Sequence, residues 1–190
     1  MFDGRTVIFS APSGGGKTTI VNALIEQFPH VFGFSVSATT RPKRPYEQEG
    51  VHYYFMTIEE FRQKIQENAF VEYEEVYEGL FYGTLKTEID RIWQQHKHIL
   101  LDVDAKGGKN LKAFFKEKAL SIFLMPPSLD VLKERLQKRG TESASSLAKR
   151  LEKASAEIAY AQYFDKVVVN DNLEKTTHEV ITYVREFLGL

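Results

Sequence analysis

Short apolar runs alternate with amphipathic stretches along most of the chain. Four runs that are typical of buried strands lie at residues 6–10, 99–103, 121–125 and 167–170. Elsewhere, apolar residues recur at helical spacing, and these stretches lie at residues 20–28, 111–115, 129–136, 147–158 and 180–187. Strands that alternate with helices predict an α/β fold, with a parallel sheet covered by helices on both faces.

Two segments interrupt this rhythm. Residues 36–87 are rich in Thr, Arg, Pro, Glu and Tyr, and the alternation of Val51, Tyr53 and Phe55 within them predicts a small antiparallel sheet. The spacing of Ile58, Phe61 and Ile65 adds one short helix. The sequence pattern of residues 128–160 predicts two charged helices. We therefore expect one domain, built as a core (1–35, 88–127 and 161–190) that carries an inserted lobe (36–87) and a helical lid (128–160).

Composition narrows the class of protein. The 190 residues are 43% hydrophobic, which is enough for a sizeable core, and the formal net charge of −1 argues against a general nucleic-acid binder. The absence of Cys excludes disulfides, thiol catalysis and Cys-ligated zinc. The sequence shows neither a secretory signal pattern nor an apolar run long enough to span a membrane. We expect a soluble cytoplasmic protein that does not bind membranes.

A glycine-rich segment follows the first strand and opens the first helix. Its residues are Ala11, Pro12, Ser13, Gly14, Gly15, Gly16, Lys17 and Thr18. They match the Walker A pattern except that Ala11 replaces the first glycine, and we expect a working loop because alanine is small. Backbone N–H groups and the helix N-terminus would cradle phosphates, Lys17 would reach the β- and γ-phosphates, and Thr18 could bind Mg²⁺. The simpler alternative is a glycine-rich turn with a solvated lysine.

A carboxylate stands where a second apolar strand ends. Asp102 follows residues 99–101, and the ends of parallel strands are where sites collect in α/β folds. We expect Asp102 to hold Mg²⁺, in part through water. The alternative role is a cap for the following helix.

A second set of motifs follows the glycine-rich loop. It begins with Ser37, then Thr39-Thr40-Arg41, Arg44 and Glu47, and continues through residues 50–55, 70–73, 82–84, 102–104, 135–140, 149–151 and 169–171. In order and spacing, these motifs resemble those of the guanylate kinase family. The resemblance covers essentially the whole chain and implies a P-loop kinase core with an inserted GMP-binding lobe and a helical lid.

The resemblance implies an acceptor site in the inserted lobe. The GMP phosphate would be held by Arg41, Arg44, Tyr53 and Tyr82, since guanidiniums form charge-assisted bonds and phenols add neutral donors. Guanine would be recognised by Ser37, Glu72, Thr84 and Asp104. A carboxylate such as Glu72 can accept from the adjacent N1–H and N2–H₂ donors of guanine, whereas adenine would present a lone pair to it. Glu47 belongs to the same signature and is assigned to the GMP site.

The resemblance also implies a donor site. ATP would be bound by residues 11–18 together with Thr19, Arg135, Arg139 and Asn170, and the catalytic residues would be Lys17, Arg41, Arg139 and Arg150. The alternative for the lid arginines is the polar face of amphipathic helices, which is the role we expect for Lys133, Lys138 and Lys153. Asn170 could instead be a turn residue.

Two features depart from the family pattern. Lys106 stands where the family usually has Gln, and residues 76–82 are one residue longer than the common form. Lys106 is then either a variant contact or a tolerated surface change. The longer hairpin leaves the assigned contacts in place if residues 82–84 keep their position.

The expected function is transfer of the γ-phosphoryl group of ATP to GMP, and to dGMP, giving ADP and GDP in purine nucleotide metabolism. The expected partners are ATP, GMP and Mg²⁺, and the oligomeric state, monomer or homodimer, stays open. One rival is a non-catalytic guanylate-kinase-like binding module, although such modules usually lose the Walker A residues that are present here. Another rival is a P-loop kinase with a different acceptor.

Overall fold

The computed structural model describes residues 3–138 and 144–190, which form two sheets and the helices around them. The elements in chain order are β1 (Thr6–Ser10), α1 (Lys17–Gln27), β2 (Phe32–Phe34), β3 (Ala38–Thr39), β4 (Tyr54–Phe55), α2 (Ile58–Gln66), β5 (Phe70–Tyr77), β6 (Leu80–Leu85), α3 (Lys86–Gln94), β7 (His98–Asp102), α4 (Ala105–Phe115), β8 (Ala119–Met125), α5 (Leu129–Lys138), α6 (Ala144–Ile158), β9 (Lys166–Val169) and α7 (Leu173–Leu188). Short 3₁₀ helices at Lys116–Lys118 and Ala159–Tyr163 precede β8 and β9.

The larger sheet is parallel and has the strand order β2-β7-β1-β8-β9. Its central strand β1 is buried along its whole length, and its alternate residues face opposite layers. Val7 and Phe9 pack in the cluster that contains α1 and α7, whereas Ile8 packs with α3 and α4. The predicted parallel sheet with helices on both faces is therefore confirmed. The four predicted strands are present, but β9 was expected to be buried and is an edge strand of which only Val168 is buried.

The strand β2 was not predicted. It has three residues, its middle residue is Gly33, and Phe34 at its end is exposed. A segment this short has no run of buried side chains that would mark it in the sequence. The strand β2 forms because it pairs with β7, and Phe32 lies opposite His98 in that register.

The smaller sheet is mixed and has the order β4-β3-β6-β5. The prediction of an antiparallel sheet is right for β6, which pairs with both β3 and β5, but β4 runs parallel to β3. The predicted helix is α2, whose Thr57 and Glu60 form a capping box. Phe61 of α2 is fully buried between the stacked rings of Phe70 and Phe81.

The two predicted charged helices are α5 and α6. They pack through Leu132 and Leu136 of α5 and Ala154 of α6, all buried. Among the helices in the described part of the chain, none combines the length and the apolar character needed to cross a membrane.

Candidate active site

The glycine-rich loop between β1 and α1 forms a concave site. Gly14 and Gly16 both have φ of +89°, a backbone conformation that residues other than glycine rarely adopt. No side chain caps the N-terminus of α1, so its first amides stay available to a ligand. A cavity of about 290 Å³ is lined by residues 11–19 together with Asp104 and Glu157. We call it the phosphate cavity, because loops of this geometry bind anions.

The alanine at the start of the loop fits its position. Among the described non-glycine residues, positive φ angles occur at Asn68, His96 and Lys116, so Ala11 does not need the conformational freedom of glycine. Its side chain is 7% exposed, and a Cβ built on Gly15 would lie 2.9 Å from the Ala11 Cβ. The loop therefore tolerates alanine at its first position and requires glycine at Gly15.

Asn170 fastens the loop from the end of β9. Its Nδ2 donates to the carbonyl oxygen of Gly15 at 2.8 Å, and its backbone N–H donates to Met125 at 2.8 Å. Arg135 of α5 donates from Nη2 to the Asn170 carbonyl at 2.9 Å. The structure thus places Asn170 behind the loop as a brace, and it places Arg135 at the same corner of the sheet.

Lys17 reaches the carboxyl end of β7. Its ammonium forms an ion pair with Asp102 and donates to the carbonyl oxygen of Val103 at 2.7 Å. Asp102 comes this close because β1 and β7 are neighbours with Phe9 opposite Asp102. The structure therefore brings together the loop lysine and the carboxylate that the sequence assigned to one site.

The oxygen atoms near this ion pair suit Mg²⁺. Thr18 is exposed and places its hydroxyl in the phosphate cavity, and the Asp102 carboxylate lies nearby. Hydroxyl and carboxylate oxygens are both atoms that bind Mg²⁺. Within residues 3–138 and 144–190, no group of three or more His, Cys, Asp or Glu forms a self-contained metal site. These residues fit a Mg²⁺ ion whose remaining ligands come from phosphate and water.

A second cavity of about 310 Å³ adjoins the first, and we call it the acceptor cavity. Its lining comes from the end of the glycine-rich loop, from the smaller sheet, from the segment between β7 and α4, and from α4 and α6. The residues are Lys17, Ser37, Tyr53, Glu72, Glu74, Val76, Tyr77, Leu80, Tyr82, Gly83, Asp102, Val103, Asp104, Gly107 and Lys153. Lys17 and Asp104 line both cavities, so a ligand in one would meet a ligand in the other at these two residues.

Glu72 is the carboxyl group at the back of the acceptor cavity. Thr84, which lies opposite it in the β5–β6 ladder, donates from Oγ1 to Glu72 Oε1 at 2.9 Å. Gly107 leaves room for the other oxygen, since a Cβ built there would lie 3.1 Å from Glu72 Oε2. Burial raises the pKa of Glu72 to about 7; the charges of Asp104 and Glu74 add to this rise, and the Thr84 hydrogen bond opposes it.

The other residues assigned to guanine take different positions. Thr84 is fully buried and donates a hydrogen bond from its hydroxyl to Glu72, so it orients the carboxylate. Asp104 caps α4 by accepting from the Gly107 N–H at 2.7 Å, and it also lines both cavities. Ser37 lines the acceptor cavity at the edge of the smaller sheet.

Arg41 lies beside the acceptor cavity and is held by Glu47. Its Nη2 lies 2.6 Å from Glu47 Oε1, and its guanidinium carbon lies 5.3 Å from the centre of the Tyr53 ring. The Arg41 guanidinium, with help from the Arg44 N–H, lowers the pKa of Glu47 to about 2. Tyr53 and Tyr82 line the cavity with ring centres 5.9 Å apart, so Arg41 borders the cavity through Tyr53.

Arg44 is exposed in this structure. Its Nη1 donates to the Tyr46 hydroxyl at 2.9 Å, and its backbone N–H donates to Glu47 Oε2 at 2.8 Å. Glu47 therefore orders the segment that carries both arginines, a role that its place in the signature did not reveal. The Arg44 side chain is not part of the cavity lining.

The assigned lid residues are only partly described. Arg139 lies outside the described residues, so its assignment has no structural counterpart. Arg150 is half-buried on α6. Arg135 contacts the end of β9, as described above.

Sequence reasoning missed two residues of α6. Lys153, expected on the polar face of its helix, also lines the acceptor cavity. Glu157, four residues further along, lines the phosphate cavity. Residues spaced by four share a helix face, but the sequence did not show that this face turns toward the substrate cavities.

The departure at Lys106 also has a structural partner. Lys106 forms an ion pair with Glu74 of β5 at 2.6 Å, which joins α4 of the core to the smaller sheet. Lys106 is thus an exposed partner of Glu74 and does not itself line the acceptor cavity.

Comparison with known proteins gives one consistent family. The family model described as guanylate kinase matches residues 3–187. A guanylate kinase of Salinibacter ruber is 48% identical over the whole of both chains, and one of Bacteroides fragilis is 45% identical over 99% of this chain and 92% of its own. The crystal structure of guanylate kinase from Anaplasma phagocytophilum superposes with a TM-score of 0.76 at 31% identity, covering 98% of this chain and 87% of that chain.

Proposed function

The chain belongs to the guanylate kinase family, whose members transfer the γ-phosphoryl group of ATP to GMP, and from this premise we propose that its two adjoining cavities hold these two substrates. ATP occupies the phosphate cavity and GMP the acceptor cavity. The observation that carries this assignment is that Lys17 lines both cavities while Glu72 lies at the back of the second.

The donor side binds the triphosphate through the backbone. The amides of the glycine-rich loop and the N-terminus of α1 surround the β- and γ-phosphates. Lys17 leaves its ion pair with Asp102 for the phosphate oxygens, which bear more charge than one carboxylate. Mg²⁺, when bound by Thr18, Asp102, water and phosphate oxygens, neutralises charge on the transferred group.

The acceptor side recognises the guanine base of GMP and positions the phosphate of GMP. The ionised Glu72, oriented by Thr84, accepts from N1–H and N2–H₂ of guanine, and Ser37 donates to the base. Tyr53, Tyr82 and Arg41 hold the phosphate end, because the Arg41 guanidinium keeps further N–H donors beyond those bound to Glu47 and to the Pro42 carbonyl oxygen. These contacts do not involve the ribose 2′-hydroxyl, so dGMP is an acceptor as well.

The transfer step needs positioning and charge neutralisation. The GMP phosphate is already an anion, so the protein supplies neither a covalent nucleophile nor a dedicated general base. Lys17, Arg41, Arg139 and Arg150 offset the repulsion between the two anionic substrates. In this scheme residues 36–87 form the GMP lobe and residues 128–160 form the lid, and both close over the substrates to exclude water.

An acceptor panel tests the proposed function. ADP formation from ATP and Mg²⁺ is measured with GMP, dGMP, AMP, CMP and UMP as acceptors. Rapid turnover with GMP and dGMP, and rates near background with the other three, is the expected result. Turnover that is highest with AMP or a pyrimidine nucleotide would overturn the assignment of Glu72, and absence of turnover with every acceptor would favour a non-catalytic binding module.

A further inference from the structure

We propose that Lys153 of α6 is a further binding residue for the acceptor nucleotide, supplied by the lid helix. The proposal rests on the proposed function and extends it to a residue that the family signature does not contain. Its basis is the position of the Lys153 side chain in the wall of the acceptor cavity, together with the balance of charge in that wall.

The lining of the acceptor cavity is acidic. It contains four carboxyl groups and two lysines, and the carboxyl groups are Glu72, Glu74, Asp102 and Asp104. A nucleotide that carries a phosphate dianion is repelled by such a wall unless cations compensate for it. Arg41 borders the cavity through Tyr53 and supplies part of this charge, but it is itself paired with Glu47, so a further cation is needed.

Most of the charges in this wall are already matched. Glu74 is paired with Lys106 at 2.6 Å, and Lys17 is paired with Asp102. Lys153 differs, because its ammonium lies 3.8 Å from Glu157 and 5.7 Å from the centre of the Tyr77 ring, both longer than a hydrogen bond. Lys153 is therefore the lining cation whose charge is most available to an entering anion.

The position of Lys153 also links the lid helix to the smaller sheet. The side chain reaches from α6 toward Tyr77 at the end of β5, and both residues line the acceptor cavity. An acceptor that attracts this ammonium draws α6, and with it Arg150, toward the cleft. The acceptor thereby favours the closed arrangement of the lid through a direct contact.

A purely structural role for Lys153 predicts different behaviour. The side chain is 41% exposed, and its i,i+4 contact with Glu157 is of a kind that contributes little to stability. Replacing Lys153 should therefore leave the melting temperature nearly unchanged. A loss of GMP affinity without a loss of stability separates binding from packing.

The test compares Lys153→Met, which keeps the apolar stem, with Lys153→Arg, which keeps the charge. Lys133→Met is the matched control, because Lys133 is an exposed lysine on the neighbouring helix α5, outside both substrate cavities. For each variant the KM for GMP, the KM for ATP, kcat, the melting temperature and the Kd for GMP without ATP are measured. The Kd comes from calorimetry and does not depend on turnover.

We expect Lys153→Met to raise both the KM and the Kd for GMP about tenfold, the usual scale for losing one charged contact. The KM for ATP should stay within about twofold, Lys153→Arg should retain most of the affinity, and the control should match the parent protein. The loss of GMP affinity in Lys153→Met should shrink as salt concentration rises, since salt screens the attraction that the substitution removes.

Unchanged GMP affinity in Lys153→Met, or an equal loss in Lys153→Arg, would overturn the proposal. A parent protein that binds GMP but does not phosphorylate it would instead overturn the proposed function.

Discussion

Glu72 and Thr84 face each other across the β5–β6 ladder, and their hydrogen bond fixes the carboxylate at the back of the acceptor cavity. A buried carboxylate is costly unless a ligand or a neighbour satisfies it. Guanine supplies two adjacent donors at the required edge, whereas adenine would leave the carboxylate unsatisfied. In the proposed assignment, base selection therefore depends on the charge and the orientation of one side chain.

Replacing this carboxylate should weaken selectivity more than stability. Glu72→Gln keeps the shape but substitutes an NH₂ group for one acceptor oxygen, so the preference for GMP over AMP in kcat/KM should fall roughly ten- to a hundredfold. Glu78→Gln, an exposed residue at the adjacent turn, should leave the ratio unchanged. An unaltered ratio in Glu72→Gln would remove Glu72 from base recognition.

The raised pKa of Glu72 predicts a pH-dependent KM for GMP. Burial raises this pKa to about 7, so the free protein loses the ionised form as pH falls below that value. The KM for GMP should then rise, approaching about tenfold per pH unit below the pKa, while kcat at saturating GMP changes less. Thr84→Val removes a hydrogen bond that lowers the pKa, so it should move the midpoint of this profile to higher pH. A profile that is flat between about pH 5.5 and 8 would contradict this assignment.

Single residues also show what the sequence could reveal. The glycine-rich loop was predictable because its spacing follows directly from the chemistry of phosphate binding, and Lys17 and Asp102 do lie together. Glu72 could be recognised only by resemblance, since it stands among several glutamates in an acidic segment. The orienting role of Thr84 and the bracing role of Asn170 depend on contacts between distant parts of the chain, which no local pattern encodes.

At the scale of elements, hydrophobic periodicity predicted most of the core but missed β2 and α3. β1, β7 and β8 are buried runs, and α1 and α7 carry apolar stripes that pack on the sheet. β9 is an apolar edge strand of which only Val168 is buried. The resemblance alone indicated the hairpin tip at residues 76–82. Periodicity did not predict the strands β5 and β6, because β5 alternates between partly buried and exposed positions and includes several glutamates. Such strands are defined by pairing with a neighbour, which the sequence of one segment does not contain.

The loop between β1 and α1 is the element on which turnover should depend most. Lys17→Ala removes the one side-chain cation of the loop, so kcat should fall by roughly two to four orders of magnitude with little change in GMP affinity. Lys118→Ala is a suitable control, because Lys118 is distant from Lys17 in sequence and forms an exposed ion pair with Asp3. Near-normal turnover in Lys17→Ala would contradict the assignment of this loop to ATP.

At the scale of the whole molecule, Glu88 joins the two sheets. It is 2% exposed, and it accepts from the Val36 N–H at 2.9 Å, from the Tyr54 hydroxyl at 2.8 Å and from Arg91. Burial acts to raise the pKa of Glu88, but the hydrogen bonds from Arg91, Val36 and Tyr54 outweigh it and lower that pKa. The network lies where the chain enters and leaves the smaller sheet, so it fixes how the two substrate cavities meet.

Removing this network should destabilise the fold. Glu88→Ala leaves the buried Val36 N–H and the Tyr54 hydroxyl without their acceptor, and the free energy of unfolding should fall by about 3 kcal/mol. Denaturant unfolding measures this change, and Glu26→Ala, an exposed residue of α1, should change stability by less than about 0.5 kcal/mol. Equal stability of the two variants would show that the junction does not depend on Glu88.

The arrangement of the whole molecule has one direct test, which is the binding of a single molecule that contains both substrates. Adenosine and guanosine joined through a polyphosphate chain should fill the phosphate cavity and the acceptor cavity together. Such a compound should inhibit competitively against both ATP and GMP, and it should bind more tightly than either nucleotide alone. Competition with only one of the two nucleotides, or affinity no better than that nucleotide's own, would contradict the claim that the two cavities form one continuous cleft.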